Sequence, residues 1–188
     1  MIFSNGPASL NGYQLIGDSM LLRLAEHCSG LRRQQIVSST LVSGATASQL
    51  LDVVMEAPIA PRVILMIGTN DLRGECDACS LISDLAIILG WLTLHAEKVV
   101  ILTLPPIALH HRRGRSWQTV NRVNHWITHC GSSVTMPVEI HRPFVVRRTK
   151  VRFDMYARRY AGRGRQDLVH WSAVGMDAVV GLLHLALL

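Results

Sequence analysis

The sequence predicts an α/β fold in which a parallel sheet carries helices on both faces. Two runs, Arg62–Ile67 and Lys98–Leu104, are rich in aliphatic and β-branched residues, as is typical of strands buried on both faces. Between them, Ser80–Ala96 repeats leucine and isoleucine at helical spacing. Strands that alternate with helices form βαβ units, and such units build parallel sheets.

Shorter patterns complete this alternation along the chain. The other predicted strands are Gln14–Ile16, Gln35–Val42 and Val138–Ile140, and the other predicted helices are Met20–His27, Ser48–Ala57, Trp117–His129 and Ser172–Leu188. In parallel sheets, ligands bind beyond the carboxyl ends of the strands. Polar residues that directly follow the apolar runs are therefore the candidates for function.

Length and composition favour one compact domain spanning residues 1–188. The chain of 188 residues is 49% hydrophobic and 17% charged, which supports a core and excludes intrinsic disorder. The apolar runs Leu85–Ala96 and Ala178–Leu188 are shorter than the ~20 residues that a bilayer requires. Met1–Ile16 contains no basic residue and does not resemble a signal peptide. We therefore expect an intracellular, cytoplasmic protein without a transmembrane segment, and its oligomeric state stays open.

The four cysteines do not suggest a disulfide scaffold in a chain of this size. Cys76 and Cys79 have the spacing of a redox or metal site. No second cysteine pair or paired histidine motif supplies the other ligands that zinc requires. We therefore expect neither a metal nor a cofactor.

Positive charge is concentrated in the second half of the chain. The net charge is +6, but residues 112–165 hold twelve arginines and one lysine against two acidic residues. Such a stretch is typical of contact with nucleic acid, lipid head groups or an acidic partner, and a solvated basic face is the alternative. It lacks the interleaved aromatics of a base-stacking platform. Trp117, Phe153, Tyr156 and Tyr160 are present, but we expect Phe153 in the core. The candidate nucleic-acid-binding residues are Arg112, Arg113, Arg115, Arg147, Arg148, Arg158, Arg159, Arg163 and Arg165.

Three short polar segments carry the candidate chemistry. They are Gly17–Ser19 after the first strand, Gly68–Asp71 after the strand Arg62–Ile67, and Asp167–His170 before the last helix. Each segment alone has an ordinary structural explanation, as a helix cap, a turn or a packed histidine. Their joint occurrence in this order is more specific than any one of them.

Together these segments resemble the conserved blocks of the SGNH (GDSL-type) hydrolases. The remaining block of that family is a glycine after the second strand, where Gly44 lies. The resemblance extends from about Leu15 to Val180. It implies a three-layer α/β/α sandwich with a flavodoxin-like parallel sheet, and a serine esterase that hydrolyses acyl esters.

The residue types suit that chemistry. A serine hydroxyl such as that of Ser19 is a weak nucleophile and needs a base, and His170 is of the type that accepts protons near neutral pH. Asp167, three residues earlier, lies where a tight turn brings its carboxylate to the imidazole and orients it. The resemblance further implies an oxyanion hole formed by the N–H groups of Ser19 and Gly44 and the amide of Asn70.

Other stretches resemble the OSK domain of Oskar-type germ-plasm proteins. They are Val42–Thr46, Ile67–Gly68 with Arg73–Gly74, Val100–Leu104 and Val151–Asp154. That resemblance implies an SGNH-like fold that lacks the catalytic residues and binds RNA through basic surface residues. This sequence departs from that pattern because its serine, asparagine, aspartate and histidine are all present. Similar SGNH esterase domains accompany RNA-binding modules in retrotransposons, and an arginine-rich domain fits that setting as well.

Two main hypotheses follow. The first is a serine esterase acting on a small acyl ester or a lipid ester, and the alternative is an RNA-binding module on the same scaffold. A third is an interaction domain with an idle triad. Gly162–Arg165 lies shortly before Asp167, and we hypothesise that it favours anionic substrates or a membrane surface.

Overall fold

The computed structural model describes residues 9–30, 39–74, 76–112, 118–147, 150–158 and 167–188. The strands in these parts are β1 (Ser9–Leu10), β2 (Tyr13–Gly17), β3 (Arg62–Met66), β4 (Lys98–Leu102), β5 (Thr135–Val138), β6 (Val145–Val146) and β7 (Lys150–Val151). The helices are α1 (Ser19–Ser29), α2 (Ala47–Glu56), α3 (Thr69–Arg73), α4 (Ala78–His95), α5 (Ala108–Arg112), α6 (Gln118–His129) and α7 (Ala173–Leu187). Arg142–Phe144 and Phe153–Met155 form single 3-10 turns.

The central sheet is mostly parallel. Strands β2, β3, β4 and β5 pair in that order and all run parallel, and β1 pairs antiparallel with β2. Leu41 forms a single parallel bridge to Gly17, on the side of β2 away from β3. The carboxyl ends of the parallel strands therefore lie at one edge of the sheet, where Gly17 leads into α1 and Met66 leads toward α3.

Helices cover the sheet in two groups. Helices α2, α4 and α6 contact one another in series, and α1 contacts α7. The side chains of β3 and β4 are buried from their second residues onward, as the continuous apolar runs predict. The predicted α/β architecture with a parallel sheet and helices around it is confirmed.

Helix α4 corresponds to the predicted helix Ser80–Ala96 and begins two residues earlier. Its 18 residues are long and apolar enough, by length and composition alone, to cross a membrane. Its buried side chains instead belong to the core, and the helix packs against β4 and between α2 and α6. One face of the helix, with six buried residues, therefore packs in the core.

Some predicted elements differ from the observed ones. Only residues 39–42 of the predicted strand Gln35–Val42 are described, and they contribute one bridge and no strand. The predicted strand Val138–Ile140 is displaced, because β5 comprises Thr135–Val138 and includes Pro137. Proline lacks the N–H that a central strand needs, but among the described strands β5 pairs with β4 alone, as an edge strand does.

Candidate active site

Ser19 is the first residue of α1 and directly follows the end of β2. Asp18 caps the helix, since its side chain accepts a hydrogen bond of 2.8 Å from the N–H of Met20. Gly17 packs closely against β3, where an added Cβ would lie 2.1 Å from the carbonyl oxygen of Met66. This close approach requires glycine and places the serine at the carboxyl edge of the sheet.

A tight turn holds Asp167 and His170 before α7. One carboxylate oxygen of Asp167 accepts hydrogen bonds from the N–H groups of Val169 (3.2 Å) and His170 (3.1 Å). Leu168 adopts a positive φ of 50°, which is uncommon for a residue with a side chain. The local backbone thus brings the aspartate and the histidine side chains of this turn together.

The three side chains form a continuous hydrogen-bonded chain. Ser19 Oγ lies 3.1 Å from His170 Nε2, and both Asp167 carboxylate oxygens lie 2.9 Å from His170 Nδ1. An ionised carboxylate only accepts, so Nδ1 carries the proton and Nε2 is left to accept from the serine hydroxyl. All three residues are buried. The arrangement has the geometry of a nucleophile, a base and an orienting acid.

The electrostatics of Asp167 favour its ionised form. Burial by itself would raise the pKa of this carboxyl group, but hydrogen bonds from His170 and Val169 outweigh burial and lower the pKa. Arg23 on α1 adds an ion pair, with Nη1 3.4 Å from Asp167 Oδ2. A charged aspartate can therefore hold the imidazole in place near neutral pH.

The residues predicted to stabilise an oxyanion lie around the same pocket. Gly44 has a positive φ of 83° and lines this pocket together with Ser19 and Asn70. The N–H of Ser19 is at the first turn of α1, where backbone N–H groups have no partner within the helix. Donation from these N–H groups to a developing negative charge stays a prediction.

The amide of Asn70 is already engaged. Its Nδ2 donates to Asp18 Oδ2 at 3.2 Å and to the carbonyl oxygen of Ala45 at 2.9 Å. An amide nitrogen has two hydrogens, so both are committed. The amide must release one of these bonds before it can donate to a substrate oxyanion.

Two buried aspartates connect the elements that carry the site. Both oxygens of Asp71 accept from the N–H of Ala47 at 3.1 Å, which ties α3 to the start of α2. Burial raises the pKa of Asp18 to about 7, although the bond from the Met20 N–H lowers it and the charge of Asp71 raises it further. These carboxyl groups therefore cap and connect helices.

The pocket also contains two residues that the sequence interpretation missed. Arg23 and Arg73 both line it. Arg23 lies four residues after Ser19 on α1, and Arg73 lies three residues after Asn70 on α3. Side chains at these spacings share a helix face, so the periodicity of the predicted helix Met20–His27 could have found Arg23. No such signal was available for Arg73, because α3 is only five residues long.

The predicted basic residues are described only in part. Arg147 and Arg158 are exposed, and the backbone of Arg112 ends α5. The other six predicted arginines and the segment Gly162–Arg165 lie outside the described residues. Phe153, expected in the core, is 39% exposed and lies beside the ring of His111 at 6.1 Å between centroids. Nucleic-acid binding by this stretch stays a prediction.

The cysteines take no part in the pocket. All four are free, Cys76 Sγ donates to the carbonyl oxygen of Asp77, and Cys79 Sγ accepts from Arg122. Among the described residues, no group of three or more His, Cys, Asp or Glu side chains is arranged to hold a metal ion.

Solved structures with the same architecture define the class of the fold. A GDSL-like lipase from Bacteroides thetaiotaomicron superposes with a TM-score of 0.70 at 19% identity, covering 92% of this chain and 85% of that one. A lipase/acylhydrolase from Enterococcus faecalis superposes with a TM-score of 0.64 at 16% identity, covering 92% and 93%. The fold is that of the SGNH hydrolases.

Two further comparisons assign the chain to a narrower family with this fold. The OSK domain of Drosophila Oskar superposes with a TM-score of 0.80 at 22% identity, covering 100% of this chain and 93% of that chain. The sequence profile of the OSK domain matches residues 1–187, and the chain therefore belongs to the OSK domain family. A comparison with curated protein sequences finds no match.

Proposed function

We propose that this OSK-family domain is a serine esterase that hydrolyses acyl esters. The observation that carries the proposal is the chain of hydrogen bonds from Ser19 Oγ through His170 to Asp167. Family membership alone would not supply this argument, because a fold hosts many functions and the function depends on the site. Here a serine, a histidine and an aspartate lie at hydrogen-bonding distances, which supports the roles of nucleophile, base and orienting acid.

The reaction follows from the roles of these groups. Ser19 Oγ attacks the ester carbonyl carbon while His170 Nε2 takes the hydroxyl proton. Asp167 stabilises the imidazolium that forms. His170 then gives the proton to the leaving alcohol as the carbon–oxygen bond breaks, and water hydrolyses the acyl-enzyme by the same sequence with water as the nucleophile.

The negative charge on the tetrahedral intermediate needs aimed donors. We assign this role to the N–H groups of Ser19 and Gly44, with Asn70 as a third donor once it exchanges a bond to Asp18 or Ala45 for the oxyanion. Loss of one such donor typically costs ~2.7–4 kcal/mol of transition-state stabilisation. The exchange makes the contribution of Asn70 smaller than that of a donor with no prior partner.

The test is covalent labelling with a fluorophosphonate probe, which reacts with activated serines. The wild-type domain is expected to be labelled, and Ser19→Ala is expected to abolish labelling. Ser29→Ala is the matched control, since it removes a hydroxyl from the other end of α1 that donates to the carbonyl oxygen of Ala25. A folded wild-type domain that remains unlabelled, or that is labelled equally after Ser19→Ala, contradicts the proposal.

A further inference from the structure

The wall of the pocket is positively charged. Arg23 and Arg73 line it from α1 and α3, each about one helical turn after Ser19 and Asn70 respectively. None of the described residues that line the cavity is an aspartate or a glutamate. Two cations beside a small cavity concentrate anionic ligands there.

The two arginines are not equivalent. Arg23 pairs with Asp167 at 3.4 Å, so part of its charge is offset by the buried carboxylate. Arg73 is exposed at the end of α3 and has no ion-pair partner among the residues that the structure describes. Arg73 is therefore the group that presents its charge most directly to a ligand.

The size of the cavity limits what enters it. Its volume is about 120 Å³, well below the ~300–1,000 Å³ of sites that enclose a drug-sized ligand. A short acyl group fits such a space. A larger alcohol portion must then lie toward the mouth, within reach of an exposed arginine.

We propose that the pocket binds esters that combine a short acyl group with an alcohol portion bearing a carboxylate or phosphate group. Arg73 binds this anionic group with the help of Arg23. The guanidinium group presents a planar fork of donors that matches a carboxylate or a phosphate. The proposal rests on the esterase activity proposed above and adds the chemical class of its substrate.

The experiment compares three acetate esters that share one acyl group. The anionic esters are 4-acetoxybenzoate and 4-acetoxyphenyl phosphate, and the neutral ester is methyl 4-acetoxybenzoate. The measured quantity is the ratio of kcat/KM for each anionic ester to kcat/KM for the neutral one. Because the same esters are used throughout, their intrinsic reactivities cancel when this ratio is compared between variants.

Arg73→Gln is expected to lower the ratio roughly fivefold, the upper range for an exposed ion pair. Arg73→Lys, which keeps the charge, is expected to retain the larger part of the preference. Arg62→Gln removes one charge from the start of β3, at the end of that strand away from the pocket. This control variant should leave the ratio unchanged. A ratio unaffected by Arg73→Gln, while the neutral ester is hydrolysed, overturns the substrate class and leaves the esterase intact.

A binding measurement keeps the two proposals separable. In Ser19→Ala, which cannot turn over, the affinities for 4-acetoxybenzoate and its methyl ester are compared by NMR titration. Tighter binding of the anionic ester that is lost on adding Arg73→Gln supports the charged pocket, even if the wild-type domain hydrolyses nothing. Equal affinities overturn it. The phosphate ester then shows which of the two oxyacids the pocket prefers.

Discussion

Asp18 makes the stability of this domain depend on pH in an unusual direction. Burial raises the pKa of its carboxyl group from 3.8 to about 7, so the folded domain retains a proton that the unfolded chain has released. Between these pH values the folded state binds more protons, and stability therefore falls as pH rises. Asp18→Asn replaces the ionisable group with one of similar size that can still accept from the Met20 N–H.

The magnitude follows from the two pKa values. The full shift from 3.8 to about 7 corresponds to about 4 kcal/mol at about 1.36 kcal/mol per unit. Part of this range lies below pH 5, where other carboxyl groups titrate. Between pH 5 and pH 8, the linkage relation predicts that the free energy of unfolding of the wild type falls by roughly 2 to 3 kcal/mol relative to that of Asp18→Asn.

Urea unfolding at pH 5, 6, 7 and 8 measures this difference. When the free energy of unfolding of the wild type is subtracted from that of the variant, the contributions of titrating groups that both proteins share cancel. Asp52→Asn on α2 controls for the loss of one exposed negative charge. A difference between wild type and Asp18→Asn that stays constant from pH 5 to pH 8 would refute the inference that this carboxyl group is protonated in the folded domain.

The remaining predictions concern the proposed chemistry and its backbone. Ser19→Ala, His170→Ala and the double variant should lower turnover of an aryl acetate by similar factors, because triad members act as a unit; additive losses would contradict this. Asn70→Ala should lower kcat by at most roughly 10²- to 10³-fold with less effect on KM, and an unchanged kcat would remove it from the oxyanion hole. Gly17→Ala should prevent folding or lower the melting temperature strongly, because the added Cβ would lie 2.1 Å from the carbonyl oxygen of Met66. In Gly44→Ala the added Cβ has no atom within 4 Å, so the variant should lose only about 1–2 kcal/mol of stability through left-handed backbone strain. Equal losses of melting temperature for the two glycine variants would argue against this packing.

The sequence predicts the fold best where one local signal decides the structure. Continuous apolar runs identify β3 and β4, because a strand buried on both faces needs apolar side chains at every position. The pattern fails at β5, where Thr135 and Pro137 conceal a strand that only its pairing with β4 establishes. It also fails at α3, whose five residues are too short for a helical period to be recognised.

The candidate site is likewise predictable from the sequence only in part. The identities of Ser19, Asp167 and His170 are visible in the sequence as motifs, and the structure places their side chains within bonding distance. The competition of Asp18 and Ala45 for the Asn70 amide is not visible, because it depends on how the carboxyl edge of β2 approaches that of β3. Lateral distances between segments far apart in sequence are set by packing, which motifs do not encode.

The triad itself offers a last test of whether the site serves chemistry or structure. Ser19 contributes one hydrogen bond to His170 and is 9% exposed, so Ser19→Ala removes little that supports the fold. Asp167 is buried and holds His170, Arg23 and two backbone N–H groups, so Asp167→Ala leaves several donors unpaired and should cost about 3–5 kcal/mol. The free energy of unfolding of Ser19→Ala is expected to lie within about 1 kcal/mol of the wild-type value, while fluorophosphonate labelling is lost. That result would mean that the fold does not need the serine hydroxyl. A large loss of stability in Ser19→Ala would instead make the hydroxyl a structural group, and the hydrogen-bonded chain would no longer argue for catalysis.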